Sequence, residues 1–439
     1  MSENALPGVG DGDARALKTG SRAAERPLRI ALLGYRSNPY SGGQGVYLKF
    51  LSRALVAAGH QVDVISGEPY PELDDDVRLI KLPGLNLFAQ ANHVTALRPR
   101  HLLSATDSFE WFSMLTGGFP EPYTFGRRLQ GYFAANDLGS EQGYDVIHDN
   151  QSLSYGLLSL DRGDTPVFCT IHHPITWDRD IALAHGRSWR ERLLIKRWHS
   201  FLTMQTRVAR KLEHIVTVSE SSKRDICSAF DIEPERVTVV YNGIDTDTFC
   251  PEPSIARNRW QLITTASADQ PLKGTQHLIP AFAELCQEFP KLRLVFIGKP
   301  KPGGHTERLI EALGVKDRIR FVHGISTNEI RYLYAGSAIA VVPSEYEGFG
   351  LPAGEAMACG TPVVSTDGGA LPEVVGDAGR IVPARDSTAL AQAIAELLED
   401  DQQREALGSA GRERILARFS WQRAAQQLTA LYSRELTDQ

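Results

Sequence analysis

The sequence predicts an α/β protein built as two Rossmann-like domains whose parallel sheets face each other across a cleft. Three observations carry this. The chain has 439 residues, more than one hydrophobic core usually serves. Short apolar runs alternate with helical patterns twice over, before and after a linker at residues 244–254, and such alternation gives parallel sheets covered on both faces. Glycine-bearing loops follow several of the strands, at the end where open sheets bind ligands.

Bulk properties narrow the function classes. A net charge of −6 argues against a nucleic-acid binder with a wholly basic surface, so no nucleic-acid partner is expected. There is no apolar run of about 18 residues, so no membrane-spanning helix is expected. Residues 1–27 are rich in Gly, Ala, Asp, Glu and Arg, lack the apolar core of a signal peptide, and read as a flexible tail. Five cysteines with no CxxC pair read as free thiols in a reducing cytoplasm.

The first domain opens with an apolar strand at 29–34, the glycine loop Ser41-Gly42-Gly43-Gln44-Gly45, a helix at 46–58 closed by Gly59, and a strand at 61–66. This is a βαβ unit. Its loop lacks GxGxxG and Asp63 lies inside the second strand, so an NAD site is not supported. From 85 to 143 the pattern loosens, and aromatics such as Phe109, Phe112, Phe119 and Phe125 read as core residues of connecting helices, an acceptor pocket being the alternative. Strands follow at 144–148 and 167–171, the latter ending in His172-His173-Pro174. An imidazole at a strand's carboxyl end can donate to and accept from a sugar hydroxyl; equally, it can be a histidine satisfied by backbone.

Residues 188–212 are helical in pattern and mix Arg190, Arg192, Lys196, Arg197, Arg207, Arg210 and Lys211 with Trp189, Leu193, Leu194, Trp198, Phe201 and Leu202. Such a segment fits peripheral contact with a membrane surface or a helix docked on the sheet with a solvated basic face. Docking is the expectation, because the apolar residues are needed for it. A strand at 214–219, a helix at 221–230 and a strand at 237–241 complete this half, with Asn242-Gly243 as a turn. Asp245-Thr246-Asp247 has the outward form of a metal-binding DxD, but reads as linker, since turn carboxylates are usually capping or solvated.

The second half reads as strand 262–266, helix 276–289, strand 293–297, helix 306–313 and strand 319–322. Lys273-Gly274, just ahead of a helix, suits a diphosphate; the plainer reading is a solvated lysine. A strand at 338–342 then ends at Pro343. Its loop holds Glu345, Glu347 and Gly348-Phe349-Gly350, and a helix starts at Leu351 with Pro352 in its first turn. Glycines let backbone approach a ligand, and free N–H groups at a helix start favour an anion. Glu347 and Glu355, one in the loop and one in the helix, can both face one cleft. A carboxylate beside a phosphate site suits a ligand that also brings hydroxyls, as a sugar nucleotide does; taken singly, either glutamate is as well explained as a solvated surface residue. Strands at 361–365 and 380–382 follow, with Gly368-Gly369 and Glu373 between them, then helices at 387–398, 403–417 and 421–432.

The run Glu347-Gly-Phe-Gly-Leu-Pro-x-x-Glu355-Ala-Met-Ala-x-Gly-Thr-Pro-Val-Val resembles the Glu-x7-Glu signature of family-4 retaining glycosyltransferases, which have the GT-B fold. The resemblance runs from about residue 28 to 432 and is weakest between 85 and 143. It implies an acceptor-binding domain at 28–243, a nucleotide-sugar domain at 255–418 and a last helix, within 419–439, that packs back on the first domain. It also implies Glu347, His172 and Lys273 as catalytic residues, with Glu355 on ribose. The donor would further be held by Lys273, Gly348, Phe349, Gly350, Leu351, Gly42 and Gly43. The donor is then a nucleoside-diphosphate sugar and the acceptor an unidentified hydroxyl compound, with neither metal nor cofactor. Two departures stand out: His173 falls where many members have Asp, and Ser267 where most have an Arg that clamps phosphate. A nucleotide-sugar epimerase and a non-catalytic nucleotide-sugar-binding protein are the alternatives within this architecture.

Overall fold

The computed structural model describes residues 26–39, 43–90, 92–94, 96–136, 138, 143–161, 163, 165–185 and 188–438. Their strands form two sheets. The first contains β1 (Arg29–Gly34), β2 (Gln61–Ser66), β3 (Arg78–Lys81), β4 (Val146–Asn150), β5 (Val167–Ile171), β6 (His214–Thr217) and β7 (Val237–Val239). The second contains β8 (Asn258–Thr265), β9 (Arg293–Ile297), β10 (Ile319–Val322), β11 (Ser337–Val342), β12 (Val363–Thr366) and β13 (Arg380–Val382). Their orders are β3-β2-β1-β4-β5-β6-β7 and β10-β9-β8-β11-β12-β13, with parallel neighbours throughout. These are two Rossmann-like sheets. Each reverses its strand order once, between β1 and β4 and between β8 and β11, and such switch points are where open sheets leave a crevice for ligands.

Apolar content on both faces explains the central strands. Every residue of β4, β5 and β11 is buried, as expected where helices cover both sides of a parallel sheet. Six expected strands, those at 29–34, 61–66, 167–171, 293–297, 319–322 and 380–382, form over those same residues. Others differ for identifiable reasons. β3 and the helix Thr327–Ala335 were not expected; β3 is a four-residue edge strand with Arg78 and Lys81 at its ends, too short and too charged to stand out. β4 lies two residues beyond its expected place, because Asp149 and Asn150 are buried polar residues whose partners no sequence pattern announces. The segment 188–212 is not one docked helix. It divides into Trp189–Trp198, a short 3-10 turn, and Leu202–Ala209. Phe201, Leu202, Met204 and Val208 are buried in the second part, whereas Trp189 and Leu193 in the first are 70% and 59% exposed. Phe125 is buried, but Phe109 and Phe112 are exposed.

The last helix, Trp421–Asp438, returns to the first sheet. Trp421, Ala425, Leu428 and Tyr432 are buried with Ile30, Leu32, Leu51 and Leu55, in the layer formed by the helix Gln44–Ala57. Each large apolar side chain there contributes about 2 kcal/mol of burial. The contact also has a polar spine: the Tyr432 hydroxyl meets His148 Nδ1, His148 Nε2 meets Thr170 Oγ1 at 2.7 Å, and Thr170 meets the Tyr47 hydroxyl at 3.0 Å. The chain crosses between sheets at two adjacent places, where Ile244 N–H donates to the Phe419 carbonyl at 2.8 Å. In this crossing Asp245 Oδ1 accepts from Thr248 N–H at 3.2 Å, which is turn capping. Among the described residues no helix is long and apolar enough to cross a membrane.

Candidate active site at the two switch points

A cavity of about 440 Å³ lies between the sheets. It is lined by the loops that leave both switch points: Gly43 and Gln44 after β1, Gln151 after β4, Lys273 after β8, and residues 347–352 after β11. His172, His173 and Ile175 after β5 join them, and Tyr47 and Trp421 also line it. Gly42 lies outside the described residues. Glu355 is not among the lining residues. It stands one turn, about 6 Å, further along its helix than Leu351, which does line the cavity.

Two helix N-termini open on this space. The helix Gln44–Ala57 starts after Gly43 and the helix Leu351–Ala358 after Gly350, and neither has a capping side chain or an acidic residue in its first turn. Their first N–H groups are therefore available to an anion. Gly350 has φ 99°, a left-handed conformation that turns the loop sharply into the helix.

Lys273 and Glu347 meet in the cavity. Lys273 Nζ lies 2.7 Å from Glu347 Oε1, which also accepts from Ser344 Oγ at 2.7 Å. Two loops from different strands are held together to make this pair, since Glu345 N–H donates to the Leu272 carbonyl at 2.8 Å. Gly274 is the close-approach point: φ is 65°, and a Cβ there would lie 1.7 Å from the Pro343 carbonyl oxygen. Gly274→Ala is therefore expected to destabilise the protein by about 3 kcal/mol, the upper end for point changes, and to lower the melting temperature. An unchanged melting temperature by calorimetry would contradict this close approach. Ser267 is exposed, and Lys273 is the one Lys or Arg among the described lining residues.

The histidines are positioned by a turn that sequence reading missed. Asp149, at the end of β4, accepts from Ser152 N–H at 2.8 Å, Ser152 Oγ at 2.6 Å, Leu153 N–H at 3.1 Å and Cys169 Sγ at 3.3 Å. These bonds support a turn in which Gln151 and Leu153 take left-handed φ values of 55° and 46°, costly for residues with side chains. Gln151 then brackets the histidines, its Oε1 accepting from His172 N–H and its Nε2 donating to the His173 carbonyl, both at 2.8 Å. Asn150 Oδ1 lies 2.7 Å from His172 Nε2 while Asn150 Nδ2 donates to the Gln44 carbonyl, so Nε2 carries the proton and Nδ1 is the acceptor. Burial, with His173 adding to it, takes the His172 imidazole down to about 3, leaving it neutral near pH 7. The only sequence signal was the polar run Asp149-Asn150-Gln151-Ser152 that ends and follows β4.

The domains are also fastened beside the cavity. The Gly348 carbonyl accepts from Ser219 Oγ at 2.7 Å and Ser222 Oγ at 3.1 Å, from the opposite domain. Glu373 caps the helix Glu220–Phe230 across the gap, accepting from Glu220 and Ser221 N–H at 2.8 Å each and from the Tyr241 hydroxyl at 3.0 Å. Burial, with Asp245 second, pushes the half-buried Glu355 carboxyl up to about 8.

Known proteins share this architecture. A family model described as Glycosyltransferase Family 4 matches residues 41–248, and one described as Glycosyl transferases group 1 matches residues 252–414. An MMP alpha-(1->4)-mannosyltransferase from Mycolicibacterium hassiacum is 44% identical over 93% of this chain and 98% of its own length. A D-inositol 3-phosphate glycosyltransferase from Salinispora tropica is 28% identical over 95% of this chain and 88% of its own. Among solved structures, sucrose-phosphate synthase from Thermosynechococcus elongatus superposes with TM-score 0.68 at 25% identity, covering 93% of this chain and 99% of that one. HepE of Anabaena, solved with UDP, gives TM-score 0.65 at 18% identity, covering 92% and 100%. With both halves matched and a relative this similar over nearly the whole length, the chain belongs to glycosyltransferase family 4 and has the GT-B fold.

Proposed function

We propose that this chain transfers a hexose from a nucleoside-diphosphate sugar to a hydroxyl acceptor, with retention at the anomeric carbon. The observation that carries this is the meeting of the Lys273–Glu347 pair with two uncapped helix N-termini in one interdomain cavity. Lys273 and the amides around residues 348–351 hold the diphosphate, with the Gly43 amide approaching from the other side. Glu347 and His172 Nδ1 hold hydroxyls of the donor sugar, and Glu355 holds the ribose. As the bond from the anomeric carbon to the phosphate oxygen breaks, the acceptor oxygen attacks on the same face, and its proton passes to the departing phosphate. Lys273 and the helix amides stabilise the growing charge. We read Glu347, bonded to Lys273 and Ser344, as a hydroxyl-binding group rather than a nucleophile of the glycosidase kind. Free thiols at all five cysteines fit a reducing compartment.

The name of the M. hassiacum relative supports a mannosyl donor, while other relatives are named for D-inositol 3-phosphate. A thermal-shift screen over nucleoside diphosphates and their sugars tests the donor, since a ligand at a hundred times its dissociation constant adds about 2.7 kcal/mol. Proton NMR of the product reports the anomer. Donor turnover without acceptor would indicate an epimerase instead, and binding without turnover a sensor.

Glu355 supplies a pH test. Only the ionised carboxylate accepts from both ribose hydroxyls, and the free protein keeps this group protonated below about 8. Nucleoside-diphosphate affinity is therefore expected to rise as pH goes from 6 to 8, by up to about tenfold per unit, and to level off above. Calorimetry on Glu355→Gln should give weaker binding with that part of the slope gone. A slope identical to wild type would remove Glu355 from the ribose.

A further inference from the structure

We infer that the acceptor is an uncharged glycan of at least two sugars, bound on the first-domain wall of the cavity with its second sugar against Trp177. This rests on the glycosyl-transfer reading above and narrows its acceptor. The described residues of that wall, Gln44, Tyr47, Gln151, His172, His173 and Ile175 among them, include no Lys, Arg, Asp or Glu. Amide and imidazole side chains such as those of Gln44 and His173 pair with hydroxyls, which both donate and accept, while Gln151 and the Tyr47 hydroxyl are already bonded to protein groups. Tyr47 meets the His172 ring edge-on, with centroids 4.8 Å apart, giving this wall apolar surface for the C–H face of a sugar.

A phosphorylated acceptor would need a counter-charge here. Burying a phosphate in a half-enclosed site without one is costly. The cation in the loop after β1, Arg36, is turned elsewhere: its guanidinium bonds Glu121 at 3.0 Å and lies over the Phe88 ring. Lys273 is paired with Glu347 and is required by the donor diphosphate. Arg179 pairs with Asp180 at 2.8 Å. The described residues that line this wall of the cavity include no Lys or Arg.

Trp177 supplies the second sugar's contact. It stands two residues beyond Ile175, which lines the cavity, and is 46% exposed. Its ring stacks at 5.6 Å and 22° on Tyr346, which immediately precedes Glu347 and whose hydroxyl donates to Asp225 at 2.7 Å. An indole so fixed, stacked on one ring and 46% exposed, can receive a flat apolar surface on its open part. The two rings come from opposite domains, so the platform exists only when the domains are together.

The test uses the full chain and whichever nucleotide sugar shifts its melting temperature. Methyl α-mannoside, methyl α-glucoside, the corresponding α-linked disaccharides and D-inositol 3-phosphate are then offered as acceptors. Transfer to neutral glycans is expected, with a disaccharide about tenfold better than its monosaccharide in kcat/KM. Trp177→Ala should erase that advantage through KM and leave monosaccharide transfer unchanged, and Trp177→Phe should restore most of it. The donor-induced thermal shift of each variant confirms that it is folded. A donor shift followed by transfer to inositol phosphate, or to none of the neutral glycans, overturns the acceptor assignment while leaving the donor reading intact. So does an undiminished disaccharide advantage in folded Trp177→Ala. Absence of any shift with nucleotide sugars overturns the underlying reading itself.

Discussion

Lys273→Ala is expected to slow glycosyl transfer by about 10²- to 10³-fold at saturating donor and acceptor, the scale of losing one oxyanion donor. The side chain is not a freely solvated lysine, since Glu347 and the turn at Gly274 fix it in the cavity. Its charge matters more in the transition state than in the bound ground state, because the diphosphate gains charge as it leaves. Turnover should therefore fall further than donor affinity. Ser267 sharpens the expectation, since the cavity has no second Lys or Arg among its described lining residues to share the load. Lys273→Arg should restore little, as a planar guanidinium differs in size and fork geometry from a compact ammonium. Steady-state assays decide it, and activity within a few-fold of wild type would mean that the diphosphate is held elsewhere.

Glu347→Ala should reduce turnover about 10- to 100-fold, the cost of losing charge-assisted bonds to sugar hydroxyls. Affinity for the sugar-free nucleoside diphosphate should move the other way or stay level. Removing the carboxylate frees Lys273 from its 2.7 Å partner and leaves it wholly available to phosphate. Glu347→Gln keeps an acceptor for Ser344 and separates loss of charge from loss of shape. Parallel calorimetry and kinetics check the split; equal losses in nucleotide affinity and in activity would reassign Glu347 to the phosphates.

Much of the fold was legible because parallel strands covered on both faces are continuous apolar runs, as at Arg29–Gly34 and Arg293–Ile297. The Lys273-Gly274 turn and the Glu347 loop were legible as glycine-bearing strand exits. What escaped was polar and long-range. The sequence does not announce that Asp149 is buried and holds a strained turn, because its partner Cys169 comes within reach only once β4 and β5 pair, while Ser152 and Leu153 bond it only in a turn of rare φ values. Nor does it announce that the first part of the segment 188–212 docks only through its last residues, since Trp189 and Leu193 have the composition of a core helix and the surroundings of a surface one. The cross-domain role of Glu373 was equally hidden, since a carboxylate capping a helix 153 residues away leaves no local pattern.

The returning helix Trp421–Asp438 sets the order in which the protein can be completed as it is made. Trp421, Leu428 and Tyr432 finish one face of the first sheet, and together their burial is worth about 6 kcal/mol. That is comparable to the whole stability of an ordinary domain. Without Tyr432, His148 also loses its buried partner at Nδ1. At ordinary translation speeds, the ribosome needs roughly ten to forty seconds to pass from the linker to this helix. During that time the first-made domain stays unfinished, with an apolar trough open along the helix Gln44–Ala57.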